Sequence, residues 1–552
     1  MCNSQFAICH LGVVPISNPQ LPTSNLQSPI SDSQSPTSTI ARAAAIISLG
    51  NVASRVLGLA REMVIAYLFG ATGLVSVFRV AATIIQTLYD FLIGGMVSAA
   101  LVPVFSEFAE RRDEFWRVAS VVINVLAIFL ALAVIILEIF APQLVWILGG
   151  GYDAELQTAA VEMIRLILPA LFFLGMSGVV TSLLYALNRF TYPAFTTAAY
   201  NAGIVLVALV LAPTFGITSL IVGILIGSAS QVLLQLPGLR GMNYRFAIDF
   251  AHPALKKILL LYAPVVLGLA VSVFSVAVDR NLASHTGAQS LAWMQNATVL
   301  IQFPLGLIAT AISFAILPTL SQNSEGQFEV TDGNSGFRIL NSEFQTTLAF
   351  GIKLVILLIL PATVGLFILA RPIVALLFEH GAFTAHDTVQ TARALQFYLV
   401  GLPFAAIDQP LVFAFYARKN TLTPNLVAIA GVAIYLAFAF ALVDSQGMIG
   451  LVIANSAMLT AHALLMVWLT HTRLGGLGAQ GVIALTLKVA IASLAMGALA
   501  FALLNALADA ADWIVVITTT PIAGAVYIAL LRVLRVREAE RVWEIARARL
   551  TR

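Results

Sequence analysis

Long apolar stretches separated by short polar connectors follow one another along the chain from residue 41 onward. They lie near 41–69, 74–104, 115–141, 157–187, 193–212, 217–237, 256–283, 289–319, 345–370, 385–417, 424–443, 447–469, 482–506 and 513–534. Each is long enough for the ~20 apolar residues that a helix needs to cross a bilayer. A membrane β-barrel would instead alternate apolar and polar positions. The pattern therefore predicts an all-α polytopic membrane protein with about fourteen transmembrane helices.

Composition supports a membrane protein over a soluble one. Hydrophobic residues make up 60% of the 552 positions and charged residues 10%, and the mean hydropathy is +0.95. Water-facing surfaces require many more charged side chains, which excludes the soluble globular classes.

The charge of the connectors predicts the orientation of the chain. Connectors after odd-numbered stretches carry mostly acids, with Arg371 as the main exception. Connectors after even-numbered stretches are basic, as is the C-terminal segment, and their residues include Arg111, Arg112, Arg189, Arg240, Lys256, Lys257, Arg418, Lys419 and Arg473. Because basic connectors remain in the cytoplasm, both termini are expected there.

The two ends of the chain differ from its body. Residues 1–40 are rich in Pro, Ser, Gln and Asn, with no Lys or Arg before Arg42, and are expected to form a disordered cytoplasmic tail. Both cysteines, Cys2 and Cys9, lie in this tail, which excludes a disulfide framework or a cysteine metal cluster in the body. The segment 537–552 is predicted to be an amphipathic tail on the inner membrane face.

An internal repeat divides the body into two halves. Tyr185, Pro193 and Gly216 recur as Tyr416, Pro424 and Gly447 with one constant spacing, and LVPVFSE at 101–107 recurs as ILPTLSQ at 316–322 with a slightly shorter one. Six spans per repeat make the halves enter the membrane from the same side, so a parallel pseudo-two-fold is expected. The predicted divisions are a six-helix lobe at 41–238, a cytoplasmic linker at 239–255, a second six-helix lobe at 256–475 and two additional helices at 476–536.

Four passages carry a family resemblance. They are SRVLGLAREMVIAYLFGA at 54–71, GGMVSAALVPVFSEF at 94–108, ALNRFTYPAF at 186–195 and LFEHGAFTAHDTVQTARAL at 377–395. In this order and in these spans, they resemble the MurJ/MviN lipid II flippases of the multidrug/oligosaccharidyl-lipid/polysaccharide exporter superfamily.

The resemblance implies a transporter rather than an enzyme. Two six-helix lobes around a cavity are expected to move the lipid-linked peptidoglycan precursor, lipid II, to the outer leaflet of the bacterial cytoplasmic membrane by alternating access, for cell wall synthesis. The implied partners are the lipid-linked glycan and membrane lipids, with no nucleic acid and no cofactor, and the protein is expected to be a monomer. The last two helices would hold the lipid chain.

Arginines within apolar stretches are the candidate binding residues. Each costs ~2.5–3.5 kcal/mol at the middle of a membrane on insertion scales, so it requires water, a counter-ion or an anionic ligand. Guanidinium groups offer paired donors that suit a diphosphate. The candidates are Arg55, Arg61, Arg79 and Arg280, with Glu62, Asp90, Asp279 and Asp408 as possible gating residues or charge partners.

Internal salt bridges are the alternative explanation for these charges. Arg55 shares a helix face with Glu62, and Asp279 adjoins Arg280. The chain also departs from the family pattern, which has paired arginines where Tyr89 and Asp90 stand, and an arginine in the eighth helix where Val299 stands. Arg79 and Arg280 are hypothesised to replace the missing arginines.

Other polar residues within the stretches have structural interpretations. Thr384 and Asp387 have the spacing of a helix capping box, and His462 is expected to be an isolated core residue. Asp408 is interpreted either as a proton or gating site or as an internally hydrogen-bonded acid. No metal site is expected. The span 426–442 lacks Asn, Asp, Ser and Thr, so no sodium site is expected either, and membrane potential is the predicted driving force.

Three other functions compete with lipid II transport. A membrane-embedded transferase would need clustered carboxylates in a cytoplasmic loop, and the acids at 107–114 instead have the pattern of a solvated helix end. An exporter of another polyprenyl-linked glycan or of an amphipathic small molecule remains open because of the missing arginines. A non-transporting scaffold for envelope assembly is the third alternative.

Overall fold

The computed structural model describes residues 36–324, 342–540 and 544, with the side chains of 36–44, 267, 324, 342 and 479 excepted. These residues are predominantly α-helical, without a strand in the described part. The helices are α1 (Pro36–Phe69), α2 (Gly73–Phe108), α3 (Arg112–Ile139), α4 (Ala141–Gly149), α5 (Ala154–Ala186), α6 (Thr196–Phe215), α7 (Thr218–Leu239), α8 (Pro253–His285), α9 (Ser290–Asn323), α10 (Ser342–Ile368), α11 (Ala370–Phe378), α12 (Ala385–Ala417), α13 (Leu422–Gln446), α14 (Met448–Arg473), α15 (Val482–Ala506) and α16 (Asp512–Val533).

Each predicted apolar stretch corresponds to one of the long helices, which confirms the predicted fold class. Twelve helices in the described part are long and apolar enough to cross a membrane, and α8 is the thirteenth if its two segments form one span. α8 bends by 48° between Pro253–Val266 and Gly268–His285. The bend follows Pro264, which removes a backbone hydrogen bond from the helix. α1 is also long, and it carries Arg55, Arg61 and Glu62.

The ends of the chain lie largely outside the described residues. One correction is that residues 36–40, predicted as tail, form the first turns of α1. Of the predicted C-terminal amphipathic segment, only 537–540 and 544 are described, and they are helical.

The described residues form two compact units. The first unit comprises 36–65 and 77–278, and the second comprises 66–76 and 279–540. The core of the first unit includes Phe105, Phe115 and Leu183, each fully buried. In the second unit α15 packs on α10, and α16 packs on α15 and α11. The Tyr527 hydroxyl on α16 donates to the Leu357 carbonyl on α10 at 2.6 Å. The predicted lobe boundaries remain a prediction.

The turns of the two units repeat each other in backbone conformation. Asn188 and Lys419, which correspond under the spacing that relates Tyr185 to Tyr416, both have positive φ, at 57° and 58°. Gly216 and Gly447, with the same spacing, have φ of 53° and 55° and begin the same type of connection between antiparallel helices. Residues with a side chain adopt positive φ at an energetic cost, so its recurrence at non-glycine positions is a specific similarity. The sequence repeat therefore extends to local structure.

The second helix of each repeat contains a π-helical turn at the same place. In α2 the turn is Asp90–Gly94, and in α9 it is Leu305–Thr310, with the spacing that relates LVPVFSE to ILPTLSQ. A further π-turn, Val97–Leu101, follows in α2 only, within the described helices. A π-turn contains one residue more than an α-helical turn would, and such turns are concentrated at functional sites.

The capping box predicted at the start of α12 is present. Thr384 Oγ1 accepts from the Asp387 backbone N–H at 3.3 Å, and Asp387 Oδ2 accepts from the Thr384 N–H at 3.0 Å. The other Asp387 oxygen accepts from Trp293 Nε1 on α9 at 2.8 Å, so the cap also joins two helices.

Replacing Thr384 with alanine is expected to destabilise the protein by about 1 kcal/mol, because an N-cap acceptor is lost. Thermal unfolding of the purified protein in detergent measures this loss. Thr421, at the N-cap of α13, makes no side-chain capping bond, so Thr421→Ala is the matched control. Equal melting temperatures for the two variants would contradict the prediction.

Candidate functional site

A buried charged cluster in the first unit contains two of the candidate arginines. Glu62 on α1 is fully buried, and one of its oxygens, Oε1, accepts from Arg61 Nη2 at 2.6 Å and from Arg61 Nε at 3.1 Å. The other, Oε2, accepts from Arg79 Nη2 on α2. One carboxylate thus holds two guanidinium groups, and these three residues together carry one net positive charge. We call Arg61, Glu62, Arg79 and Asn201 the arginine cluster.

Asn201 on α6 completes the cluster. Its Oδ1 accepts from Arg61 Nη1 at 3.0 Å, and its Nδ2 donates to the Ser54 carbonyl on α1 at 3.2 Å. The amide therefore fixes both the arginine and the backbone of α1 about two turns earlier. A Cβ at Gly58 would lie 3.6 Å from Asn201 Nδ2, which is an ordinary contact distance, so α1 and α6 are in van der Waals contact at this point.

The arginines of the first unit differ in exposure. Arg79 is almost fully buried, with 7% of its side chain exposed, whereas 25% of the Arg61 side chain is exposed. Arg55 is half-buried on α1, in the part of the helix that precedes Arg61. Because Glu62 binds both Arg61 and Arg79, internal salt bridges explain part of the charge of both arginines. The arginine cluster nevertheless keeps one net positive charge.

Arg280 belongs to the second unit, where it follows Asp279 on α8. Both residues are buried, with exposures of 6% and 4%. Arg280 Nε and Nη1 have no hydrogen-bond partner among the described residues. A guanidinium group that is buried with unpaired N–H groups is costly, and an anionic ligand would satisfy it.

Asp279 has a partner that the sequence did not reveal. The Tyr435 hydroxyl on α13 donates to Asp279 Oδ1. The expectation of no sodium site considered only Asn, Asp, Ser and Thr as polar partners in the span 426–442. The phenol of Tyr435 is a polar group that this reasoning did not include. Both side chains are buried, so the bond joins α8 to α13 inside the second unit.

The remaining two candidate acids have neutral or weakly basic partners. Asp90, in the π-turn of α2, accepts from Gln86 Nε2 at 3.1 Å. Asp408 on α12 lies 2.9 Å from His462 Nδ1 on α14. The expectation that His462 is an isolated core residue was therefore wrong. Asp408 and His462 are 54 residues apart, so helical spacing alone did not connect them.

The described residues contain no group of three or more His, Cys, Asp and Glu side chains that could hold a metal ion. The described side chains provide guanidinium groups, which can bind anions, and a buried pair of an acid and a histidine.

Comparisons with known proteins identify the family. The model of the family described as lipid II flippase MurJ matches residues 65–522. The lipid II flippase MurJ of Burkholderia cenocepacia is 28% identical over 441 residues, which cover 77% of this chain and 82% of that protein. A Vibrio cholerae protein described as a probable lipid II flippase MurJ is 30% identical over 527 residues, which cover 90% and 97%.

Solved structures share the fold. A structure titled lipid II flippase MurJ, inward closed conformation, has a TM-score of 0.75 at 24% identity and covers 89% of this chain and 98% of its own. An inward-facing multidrug resistance transporter of the MATE family has a TM-score of 0.59 at 17% identity and covers 78% and 95%. With the family match over residues 65–522, these similarities lead to one conclusion: the chain belongs to the lipid II flippase MurJ family.

Proposed function

We propose that this protein moves lipid II from the inner to the outer leaflet of the bacterial cytoplasmic membrane, by alternating access, for cell wall synthesis. The observation that carries the proposal is the family match over residues 65–522. The relatives are described as lipid II flippases, and a flippase makes and breaks no covalent bond, so we do not assign a catalytic residue.

The charged side chains give this function a binding chemistry. We assign the diphosphate contacts to Arg55, Arg61, Arg79 and Arg280. Glu62 holds Arg61 and Arg79 in fixed positions. Binding of an anionic ligand therefore costs less side-chain conformational entropy, because these two side chains are already ordered. Arg280 offers N–H groups without a partner in the described part of the chain. Glu62 acts as the charge partner of Arg61 and Arg79, and Asp279 adjoins Arg280. Asp90 and Asp408, whose partners are Gln86 and His462, are assigned to gating instead.

The proposal includes the setting of the protein. It is a multi-pass membrane protein whose partners are the lipid-linked glycan and the surrounding lipids. We further propose that both termini lie in the cytoplasm, that the protein works as a monomer and that it binds no nucleic acid.

Complementation of cells depleted of their essential lipid II flippase tests the function. The native chain is expected to restore growth, and Arg55→Ala and Arg61→Ala are each expected to reduce transport about tenfold or more, because a hydrogen bond to a charged group contributes about 1.5–3 kcal/mol. Arg117→Ala is the matched control, since Arg117 is an exposed arginine outside the arginine cluster. Normal growth of both Arg55→Ala and Arg61→Ala cells at native expression levels would contradict the assignment.

A second candidate function follows from one observation. Asp90 is buried where the family pattern has an arginine, so the charge at this position is reversed. This favours an exporter of another polyprenyl-linked glycan with a less anionic head group. Failure of the native chain to restore growth, despite normal amounts in the membrane, would support this alternative.

A further inference from the structure

Asp408 and His462 form an ionisable pair inside the second unit. Only 7% of the Asp408 side chain and 18% of the His462 side chain are exposed, and Oδ1 of the acid lies 2.9 Å from Nδ1 of the ring. The pair joins α12 to α14 within their membrane-spanning segments. The arginine cluster does not include either residue, so the binding of a diphosphate does not account for the pair.

The internal repeat shows what is unusual about this pair. Under the spacing that relates Tyr185 to Tyr416, the corresponding positions are Ser177 on α5 and Gln231 on α7, and their side chains are hydrogen-bonded at 3.1 Å. Both units therefore place a polar pair at the same point between corresponding helices. In the first unit the pair cannot change its charge at physiological pH, whereas in the second unit both members are ionisable.

The surroundings of the two pairs also differ. Ser177 continues into a neutral polar network, in which Gln235 donates to the Ser177 hydroxyl at 2.8 Å and Thr181 donates to Gln235 at 2.9 Å. The counterparts of Thr181 and Gln235 are Val412 and Met466, which are buried and apolar. The second unit has replaced the network with a titratable pair in an apolar setting.

The other ionisable groups on the helices around the pair have partners of their own, are exposed, or lie further along the same helices. The helices packed against α12 and α14 are α9, α10, α11 and α13, and α9 contains no ionisable residue. On the other three, Lys353 donates to Glu538 at 2.7 Å, Tyr435 donates to Asp279, and Glu343, Arg371 and Asp444 are exposed. On α12 and α14 themselves, the nearest ionisable residues, Tyr416, Tyr398 and His471, are more than two helical turns away, which is more than ~10 Å along the helix axis.

The contact defines where a proton binds. A carboxylate only accepts hydrogen bonds, so with Asp408 ionised the ring carries its proton on Nδ1, and Nε2 is the position that gains a second proton. With one proton the pair has a net charge of −1, and with two it is neutral. Each addition takes one proton from water, and each release returns one.

We propose that Asp408 and His462 form a proton-binding site within the membrane-spanning part of the chain, which makes transport depend on pH. The pH dependence of transport rests on the proposed function, whereas the proton site itself does not. Gln409, the residue after Asp408, can couple a change of charge at the pair to a neighbouring helix. Gln409 Oε1 accepts from Thr310 Oγ1 in the π-turn of α9 at 2.9 Å, so α9, α12 and α14 are tied together at this level.

The proton site is tested on the full chain in lipid nanodiscs by nitrogen NMR of labelled histidine, with His462→Asn to assign the signal. The His462 signal is followed from about pH 5 to about pH 8, and we expect it to change as the ring takes up a proton. Asp408→Asn is expected to change the midpoint of this titration by about one pH unit or more, because a carboxylate next to the ring interacts with its charge. A His462 signal that does not change over this range, or a midpoint that ignores Asp408→Asn, would overturn the proposal.

The link to transport is tested with a double variant that rebuilds the neutral pair of the first unit, Asp408→Ser with His462→Gln. In vesicles containing lipid II, the native rate is expected to change with pH and with the direction of a pH gradient, and the double variant is expected to lose this dependence. A double variant with the native pH profile would overturn the link. Asp408→Asn alone provides the same comparison if the double variant does not fold. If the native protein moves no lipid II at any pH, the proposed function fails, and the NMR titration still decides the proton site.

Discussion

Glu62→Ala is expected to cost about 3–5 kcal/mol of folding free energy, which is enough to remove most of the folded protein from the membrane. Glu62 is the buried carboxylate between Arg61 and Arg79, and its removal leaves two guanidinium groups facing each other in an apolar environment. The loss is large because Arg79, with only 7% of its side chain exposed, cannot move into water. The amount of monodisperse protein in detergent and its melting temperature measure the effect.

A second carboxylate provides a matched control for this prediction. Glu107 pairs with Lys257 at 2.6 Å, and both side chains are about half exposed. Glu107→Ala is therefore expected to cost at most about 1 kcal/mol. Glu62→Gln should be intermediate, since the amide oxygen still accepts from one arginine. Similar melting temperatures for Glu62→Ala and Glu107→Ala would show that the arginine cluster does not support the fold.

Gly227→Ala is the other substitution with a large expected effect. In the first unit α6 and α7 pack closely, and a Cβ at Gly227 would lie 2.7 Å from the Tyr200 carbonyl oxygen. The facing Gly203 has the same constraint, since its Cβ would lie 2.8 Å from the Cα of Gly227. Backbone atoms cannot rotate away as side chains do. The two helices must separate, at a cost of about 1–3 kcal/mol.

The comparison for Gly227→Ala is Gly524→Ala in α16. A Cβ at Gly524 meets nothing within 4 Å, and alanine favours the helix over glycine. We expect Gly524→Ala to melt at or above the native temperature and Gly227→Ala to melt below it. An unchanged melting temperature for Gly227→Ala would mean that α6 and α7 are not held at this distance.

Hydropathy alone was sufficient to predict the long helices of the described part, whereas the short helices α4 and α11 were not predicted. The predicted stretch 385–417 has the same limits as α12, and 482–506 has the same limits as α15. Length and apolar content are local properties, and a membrane leaves the backbone few alternatives to a helix. The cap at Thr384 was predictable for the same reason, since its partner lies within the first turn of the same helix.

Side-chain partners between helices were less predictable. Glu62 was expected to share a face with Arg55, yet its observed contacts include Arg79 on the next helix, and that choice depends on how α1 and α2 are rotated about their axes. His462 and Asp408 lie on different helices, and hydropathy contains no information on their register. The repeat did contain a usable signal, because both residues correspond to polar residues of the first half.

The shared π-turns have a consequence for the history of the chain. A π-turn contains one residue more than an α-helical turn, which is the geometry that the insertion of one residue into a helix would leave. The turns at Asp90–Gly94 and Leu305–Thr310 occupy equivalent places in both repeats. One insertion in an ancestral half-length protein, before the gene was duplicated and fused, accounts for both, whereas insertion after the duplication would have to occur twice at the same site.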